Sequence, residues 1–100
     1  VRRSGAGDDS VDRSLEELRE AIDQIDRDLL GLLAKRGSVV QRIGEWKRAE
    51  NVTSFQVERW NALLEDRIGR AAELGLDQKY VKAIYEVIHR EAVRRQSQII

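Results

Sequence analysis

The chain has 100 residues, enough for one small domain, and its 18 basic and 18 acidic side chains give a formal net charge of zero. Without a basic excess, the composition gives no support for binding to nucleic acid or to an acidic membrane surface. Cys is absent, which excludes disulfides and thiolate chemistry, and no apolar run approaches the roughly 20 residues of a membrane span. These features are compatible with the cytoplasm, where we expect the protein.

The first thirteen residues differ from the rest. Val1–Arg13 is rich in Ser, Gly, Asp and Arg, and the chain does not begin with Met. This composition is typical of a linker or flexible segment. We therefore predict a linker over 1–13 and a domain over 14–100, as in a domain cut from a longer protein.

A long first helix is predicted from about Leu15 to about Arg48. Ser14 followed by Glu17 is a capping box, the pairing that starts many helices. No Pro interrupts the segment, and its apolar residues recur every three or four positions, as on one face of a helix. This apolar stripe consists of Leu15, Leu18, Ile22, Ile25, Leu29 and Leu32.

The second helix is predicted from about Phe55 to Leu74. Thr53 and Gln56 form a second, weaker capping box. Its predicted inner face consists of Val57, Trp60, Leu63, Leu64, Ile68, Ala71 and Ala72.

The third helix is predicted from Asp77 to near Ile99. Gly75 is the expected C-cap of the second helix and Asp77 the N-cap of the third. The inner face of the third helix is predicted to consist of Val81, Ile84, Tyr85, Ile88, Ala92 and Ile99. No stretch has the alternation of a strand, so the fold class is all-α with three helices, one of them long.

The lengths of the helices predict a homodimer. A helix of about 34 residues spans about 50 Å, whereas one of about 20 residues spans about 30 Å and cannot cover the whole stripe. A second copy related by a two-fold axis near Leu30 and Gly31 would cover it, and Gly31 would allow close approach. The alternative is an extended first helix whose end frays.

Two cations continue the apolar stripe. Arg36 and Lys47 are eleven positions apart, which places them on nearly the same helix face at about 16 Å. Two long side chains leaning together could hold one small anion. Arg19 is about 25 Å from Arg36 along the helix, so it could reach that anion only from the antiparallel partner chain.

Other polar residues lie at notable positions. Gln96 is an uncharged donor and acceptor on an apolar stripe, one turn after Ala92, and Gln56 and Arg59 lie where a helix N-terminus favours anions. Each cation taken alone is more often a surface residue. The joint spacing with Arg19, Arg36 and Lys47 is what favours a binding site.

The remaining polar and aromatic residues have structural interpretations. Trp46 and Trp60 are expected to be core or interface anchors, and His89 a surface or hydrogen-bonded residue. Arg94–Arg95 is expected on a solvated face. With one His and no Cys, no metal site or Cys–His pair is indicated. Any catalysis would act by positioning a small anion and stabilising developing charge, without a cofactor.

The chain resembles the all-helical chorismate mutases. The similarity lies in Leu18–Asp26, Leu29–Arg36 and Ile43–Lys47, and it continues through Arg59 and Leu74–Asp77 to Gln96. Details such as Val52–Thr53, Ile88–His89 and Gln96–Ile99 resemble the mutase domains that are joined to a DAHP synthase, and the linker-like start agrees with such a fusion.

The resemblance implies an intertwined helical homodimer that rearranges chorismate to prephenate without covalent catalysis or a cofactor. Arg36 and the partner's Arg19 would bind the substrate carboxylates. Lys47 and Gln96 would hydrogen-bond the ether oxygen, which gains negative charge as its C–O bond breaks. Arg59 would line the same pocket.

Three positions depart from the commonest family pattern. Trp60 replaces a carboxylate that follows the helix-two Arg, Gln56 replaces an Asp, and Ala92 replaces a Ser. Losing a buried polar contact costs about 1–3 kcal/mol, so we expect weaker binding or slower turnover unless a fused domain completes the site.

Three other functions are compatible with these residues. An isochorismate–pyruvate lyase has the same fold and also lacks the acid after the helix-two Arg. A non-catalytic helical dimer that binds chorismate or prephenate and regulates a neighbouring domain is a second alternative. A plain helical dimerisation module is the third.

Overall fold

The chain folds into three α-helices. The computed structural model describes the backbone of residues 8–52 and 56–99 and the side chains of 14–52 and 56–97. The helices are α1 (Asp8–Ala49), α2 (Val57–Glu73) and α3 (Gln78–Ile99), and these described residues contain no strand. The predicted all-α class with one long helix is confirmed.

The start of α1 differs from the prediction. The helix already includes Asp8, so Ser14 lies inside it and is not its N-cap. Residues 8–13 contain neither Pro nor Gly, and Asp8 and Asp9 favour a helix N-terminus electrostatically. Because extending an existing helix adds one hydrogen bond per residue, it continues back to Asp8, inside the segment we expected to be a linker.

The C-terminal ends of α1 and α2 have the same geometry. Asn51, with φ 59°, ends α1, and Val52 N donates to the Lys47 carbonyl at 2.7 Å. Gly75, with φ 75°, ends α2, and Leu76 N donates to the Ala71 carbonyl at 2.8 Å. Both are Schellman motifs, so the C-cap predicted at Gly75 is confirmed.

The two helix starts differ from each other. The Asp77 carboxylate accepts a hydrogen bond from Tyr80 N at 2.9 Å, which confirms Asp77 as the N-cap of α3. Gln56 precedes α2 in extended conformation, without a side-chain cap bond. Thr53 and Phe55, the predicted cap and first residue of that helix, lie outside the described residues.

A small apolar core lies within residues 37–100, where α2 packs against α3. Among the described residues its buried members are Val40, Leu63, Ala71 and Val81. The last three confirm the predicted inner faces of α2 and α3. Val57 and Ile84 were predicted to face inward, yet they remain 53% and 39% exposed.

The chain divides into two compact units, with the boundary after Arg36. The first unit contains most of α1. Within it the apolar stripe from Leu15 to Leu32 is between 47% and 63% exposed. No helix among the described residues has the length and apolar character needed to cross a membrane.

Candidate active site

A lysine and a glutamine from different helices meet within the second unit. Lys47 Nζ donates a hydrogen bond to Gln96 Oε1 at 3.2 Å. Gln96 is buried, only 8% exposed, and Lys47 is half-buried. The sequence separates these residues by 49 positions, and the fold brings their side chains together.

The backbone around Lys47 is fixed by the end of α1. Lys47 lies in the last turn of the helix, and its carbonyl accepts the Schellman bond from Val52 N. Gln96 lies on α3 one turn after the half-buried Ala92, so the two occupy the same helix face. The pair is therefore carried by two helices, which hold side chains more rigidly than loops do.

The electrostatic character of the pair follows from its burial. Partial removal from water lowers the pKa of Lys47, because burial disfavours the charged form. Gln96 uses its amide oxygen toward Lys47, which leaves its NH₂ group as a donor. An ammonium and an amide NH₂ side by side can both donate to one oxygen that develops negative charge.

The other predicted site residues have different environments. Gln56 and Arg59 are exposed at the start of α2, and Ala92 contributes no polar side-chain atom. In the first unit, Arg19 is exposed and Arg36 is half-buried on α1. Their roles remain predictions that rest on the resemblance and on helical spacing.

Two other contacts of the second unit were not predicted. The rings of Trp60 and His89 stack with centroids 4.0 Å apart and an interplanar angle of 18°. Arg95 Nη1 donates to the Gly37 carbonyl at 3.2 Å, so Arg95, whose side chain is 40% exposed, also bonds to another helix, which the prediction of a solvated face did not include. Sequence periodicity could not reveal either contact, since each joins residues of two different helices.

The described residues contain no group of three or more His, Cys, Asp or Glu side chains that could hold a metal ion. Lys47 and Gln96 together present an ammonium group and an amide group at one place.

Comparison with known proteins gives the family. The family model described as chorismate mutase type II matches residues 18–97. The chain belongs to the chorismate mutase type II family. The resemblance in the sequence is thus confirmed at the level of the family, and the match includes Lys47, Gln96 and every other predicted site residue.

Several curated relatives of this family are similar over most of the chain. It is 36% identical over 76 residues to an isochorismate pyruvate lyase of Pseudomonas aeruginosa, covering 75% of this chain and 74% of that protein. It is 35% identical over 81 residues to a 4-amino-4-deoxychorismate mutase of Streptomyces venezuelae, covering 80% of this chain and 78% of that protein.

Other relatives in the family are much longer proteins. The chain is 29% identical over 85 residues to a T-protein of Haemophilus influenzae, which covers 85% of this chain and 22% of that protein. It spans 21% of the T-protein of Enterobacter agglomerans. The chain thus spans about a fifth of the length of these two relatives.

Proposed function

We propose that this chain is a chorismate mutase that converts chorismate to prephenate in phenylalanine and tyrosine biosynthesis. The observation that carries the proposal is the part-buried hydrogen bond between Lys47 and Gln96, which joins two helices. Membership of the chorismate mutase type II family supplies the substrate class.

The reaction is a unimolecular rearrangement in which one C–O bond breaks and one C–C bond forms. Negative charge develops on the ether oxygen as the C–O bond lengthens. Lys47 and the NH₂ group of Gln96 would donate to that oxygen. Donors already in place cost no reorganisation during the reaction, so their effect is largest in the transition state.

The carboxylates of the substrate need cations. We assign them to Arg36 and to Arg19 of a second copy, with Arg59, Gln56 and Ala92 lining the site. Arg presents a planar fork of donors that matches a carboxylate in two places. Such binding would hold the substrate in the folded conformation that the rearrangement requires.

The homodimer is part of the same proposal. Six large apolar side chains of the first unit are each about half exposed along one face of α1, which supports a second copy as their cover. A two-fold axis near Leu30 and Gly31 would bury that stripe against itself and deliver Arg19 to the neighbouring site.

A second candidate function is isochorismate–pyruvate lyase. It is favoured by Trp60, which occupies the position of the expected carboxylate and stacks on His89, and by similarity to a relative of that name. Trp60 offers its indole N–H only as a donor, so it cannot accept a hydrogen bond from a substrate hydroxyl.

The deciding experiment is a substrate comparison on the purified chain. Chorismate, isochorismate and 4-amino-4-deoxychorismate are supplied separately at saturating concentration, and the products are identified by chromatography. Prephenate formed from chorismate with the highest kcat/KM supports the mutase. Salicylate and pyruvate from isochorismate as the main reaction would replace it with the lyase, and binding without turnover would favour a regulatory domain.

The proposal includes a fused DAHP synthase domain, which would supply the substrate contacts that this chain lacks. The departures at Gln56, Trp60 and Ala92 support the expectation of a modest turnover for the domain alone. Measuring kcat/KM for this chain alone and within the full-length protein would test whether a second domain increases it. Equal values would contradict that part of the proposal.

A further inference from the structure

Arg95 on α3 is held between two acceptors. Its Nη1 donates to the Gly37 carbonyl at 3.2 Å, and its Nε lies 3.4 Å from the Glu91 carboxylate. Arg94 differs: it pairs with the same Glu91 at 2.6 Å and is 54% exposed. The Arg95 side chain is 40% exposed, so what distinguishes it from Arg94 is its bond to the Gly37 carbonyl of another helix.

Gly37 makes room for the guanidinium group. A Cβ atom added at this residue would lie 3.2 Å from both Cζ and Nη1 of Arg95, closer than ordinary van der Waals contact. Gly within a helix costs about 1 kcal/mol relative to Ala, yet here it lets Arg95 lie against bare backbone. The carbonyl has a second lone pair available beside its helical bond, so it can accept from Arg95 as well.

Two consecutive residues of α3 thus bond to α1 at separate places. Arg95 reaches Gly37 and Gln96 pairs with Lys47, and these two α1 residues are ten positions, or about 15 Å, apart along the helix. Packing against α2 already limits the rotation of α3, and either bond alone would tie α3 to α1 at one point only. Two bonds so far apart restrict both rotation and sliding, which fixes where the Gln96 amide points.

We propose that Arg95 is a positioning residue for the reaction proposed above: its bond to the Gly37 carbonyl holds the Gln96 amide against Lys47. Arg95 acts through Gln96 and does not itself contact the substrate. Active-site donors must be held within about 0.5 Å of the productive geometry, and a misplacement of about 1 Å can lower the rate about 100-fold. The inference rests on the proposed function, because it assigns a role to Gln96.

The first test compares Arg95→Ala with Arg94→Ala, its matched control on the same helix. Arg95→Ala is expected to lower kcat by about 10-fold to 100-fold with a small change in KM, as for interactions that matter in the transition state. Arg94→Ala should stay within about two-fold of the unaltered chain, as expected for an exposed pair. Arg95→Lys, which keeps a donor, should recover part of the loss.

The second test asks whether Arg95 acts through Gln96. In a Gln96→Ala background, Arg95→Ala should produce no further loss of kcat, because residues that act as a unit are non-additive. An equal loss of kcat in both backgrounds would overturn the proposal. A loss confined to thermal stability, with kcat unchanged, would overturn it too.

A third measurement does not depend on turnover. Titration of the Lys47 side chain by NMR should give a higher pKa in Arg95→Ala than in the unaltered chain, as the site opens to water, and no change in Arg94→Ala. An unchanged Lys47 titration in Arg95→Ala would overturn the proposal. If the unaltered chain does not turn over chorismate but Arg95→Ala still raises the pKa of Lys47, the proposed function is refuted and the positioning role of Arg95 is not.

Gly37→Ala keeps the proposal testable if Arg95→Ala does not fold. The added methyl group would force the guanidinium to shift by a few tenths of an ångström while improving helix propensity, so kcat should fall modestly even though the helix is favoured. Gly69→Ala is the control, because a Cβ there meets nothing within 4 Å. An unchanged kcat in Gly37→Ala would then overturn the proposal.

Discussion

The two units of the chain differ in how much of their apolar surface is buried. Residues 37–100 have their own core, built from Val40, Leu63, Ala71 and Val81, and they hold a part-buried polar pair. The described part of the first unit is a single helix whose apolar stripe is exposed. An isolated helix has no core of its own, so this stripe stays exposed in the single chain, whereas the second unit buries apolar side chains between its helices.

The largest expected effect comes from charging the exposed stripe. Ile25→Asp should convert the proposed dimer to a monomer and abolish activity. Burying an Ile side chain stabilises an interface by about 1.5–3 kcal/mol, and a two-fold dimer loses this contribution at two symmetry-related positions. Analytical ultracentrifugation measures the mass, with Leu74→Asp as control because Leu74 is 75% exposed on another helix end. A monomeric unaltered chain would contradict the assignment of the stripe.

Removing the ammonium group of the polar pair should be nearly as severe. Lys47→Ala is expected to lower kcat by about 100-fold to 1,000-fold, the range for loss of one preorganised donor. The dimer mass should not change, which would separate the chemical role of the second unit from the associative role of the first. Lys82→Ala, on an exposed position of α3, is the control. Near-normal turnover of Lys47→Ala would remove Lys47 from the mechanism.

Changing the amide to an acid should alter the pH dependence. In Gln96→Glu the new side chain can donate a hydrogen bond only when protonated, so activity should rise as pH falls through its pKa. The pH profile of kcat, measured beside that of the unaltered chain, checks this. Parallel profiles over the acidic range would show that donation from position 96 is not required.

The activity of the unaltered chain should fall at a lower alkaline pH than the titration of an ordinary lysine would predict. Burial lowers the pKa of Lys47 below 10.5, and the ammonium form is the donor. Activity should therefore fall as pH rises through that lowered value. The free energy of unfolding should change in the opposite direction. Between the pKa of Lys47 in the folded chain and 10.5, Lys47 is protonated in the unfolded chain and mostly deprotonated in the folded chain. The free energy of unfolding should therefore increase as pH rises through this range. An activity profile whose alkaline decrease is centred at or above pH 10.5 would contradict the role of the Lys47 ammonium group as a donor with a lowered pKa.

Periodicity and capping predicted most of the fold because they depend on neighbours in the sequence. Gly75 and Asp77 were placed correctly, since a positive φ and an N-cap each have a local chemical signal. The start of α1 was missed because two helix-start signals occur in succession, at Asp8 and at Ser14, and the helix includes both.

The polar contacts between helices required the structure. Spacing put Lys47 on an inner face, but the direction of its bond to Gln96 depends on how α3 lies beside the end of α1. The same is true of Arg95 and of the Trp60–His89 stack. In each case two distant segments meet, and no periodicity within one helix reports on the other.

The smallest expected effect concerns the cap that begins α3. Asp77→Ala should reduce the free energy of unfolding by about 1 kcal/mol, because Tyr80 N loses its acceptor and the helix loses a favourable charge at its N-terminus. Since this cap lies in the second unit, at the opposite end of α3 from Gln96, kcat and the dimer mass should stay unchanged. Asp77→Asn is the matched control, because Asn also caps helices and should recover most of the loss. Urea denaturation measures the difference, and an Asp77→Ala variant as stable as the unaltered chain would show that packing of α3 on α2 alone fixes where that helix begins.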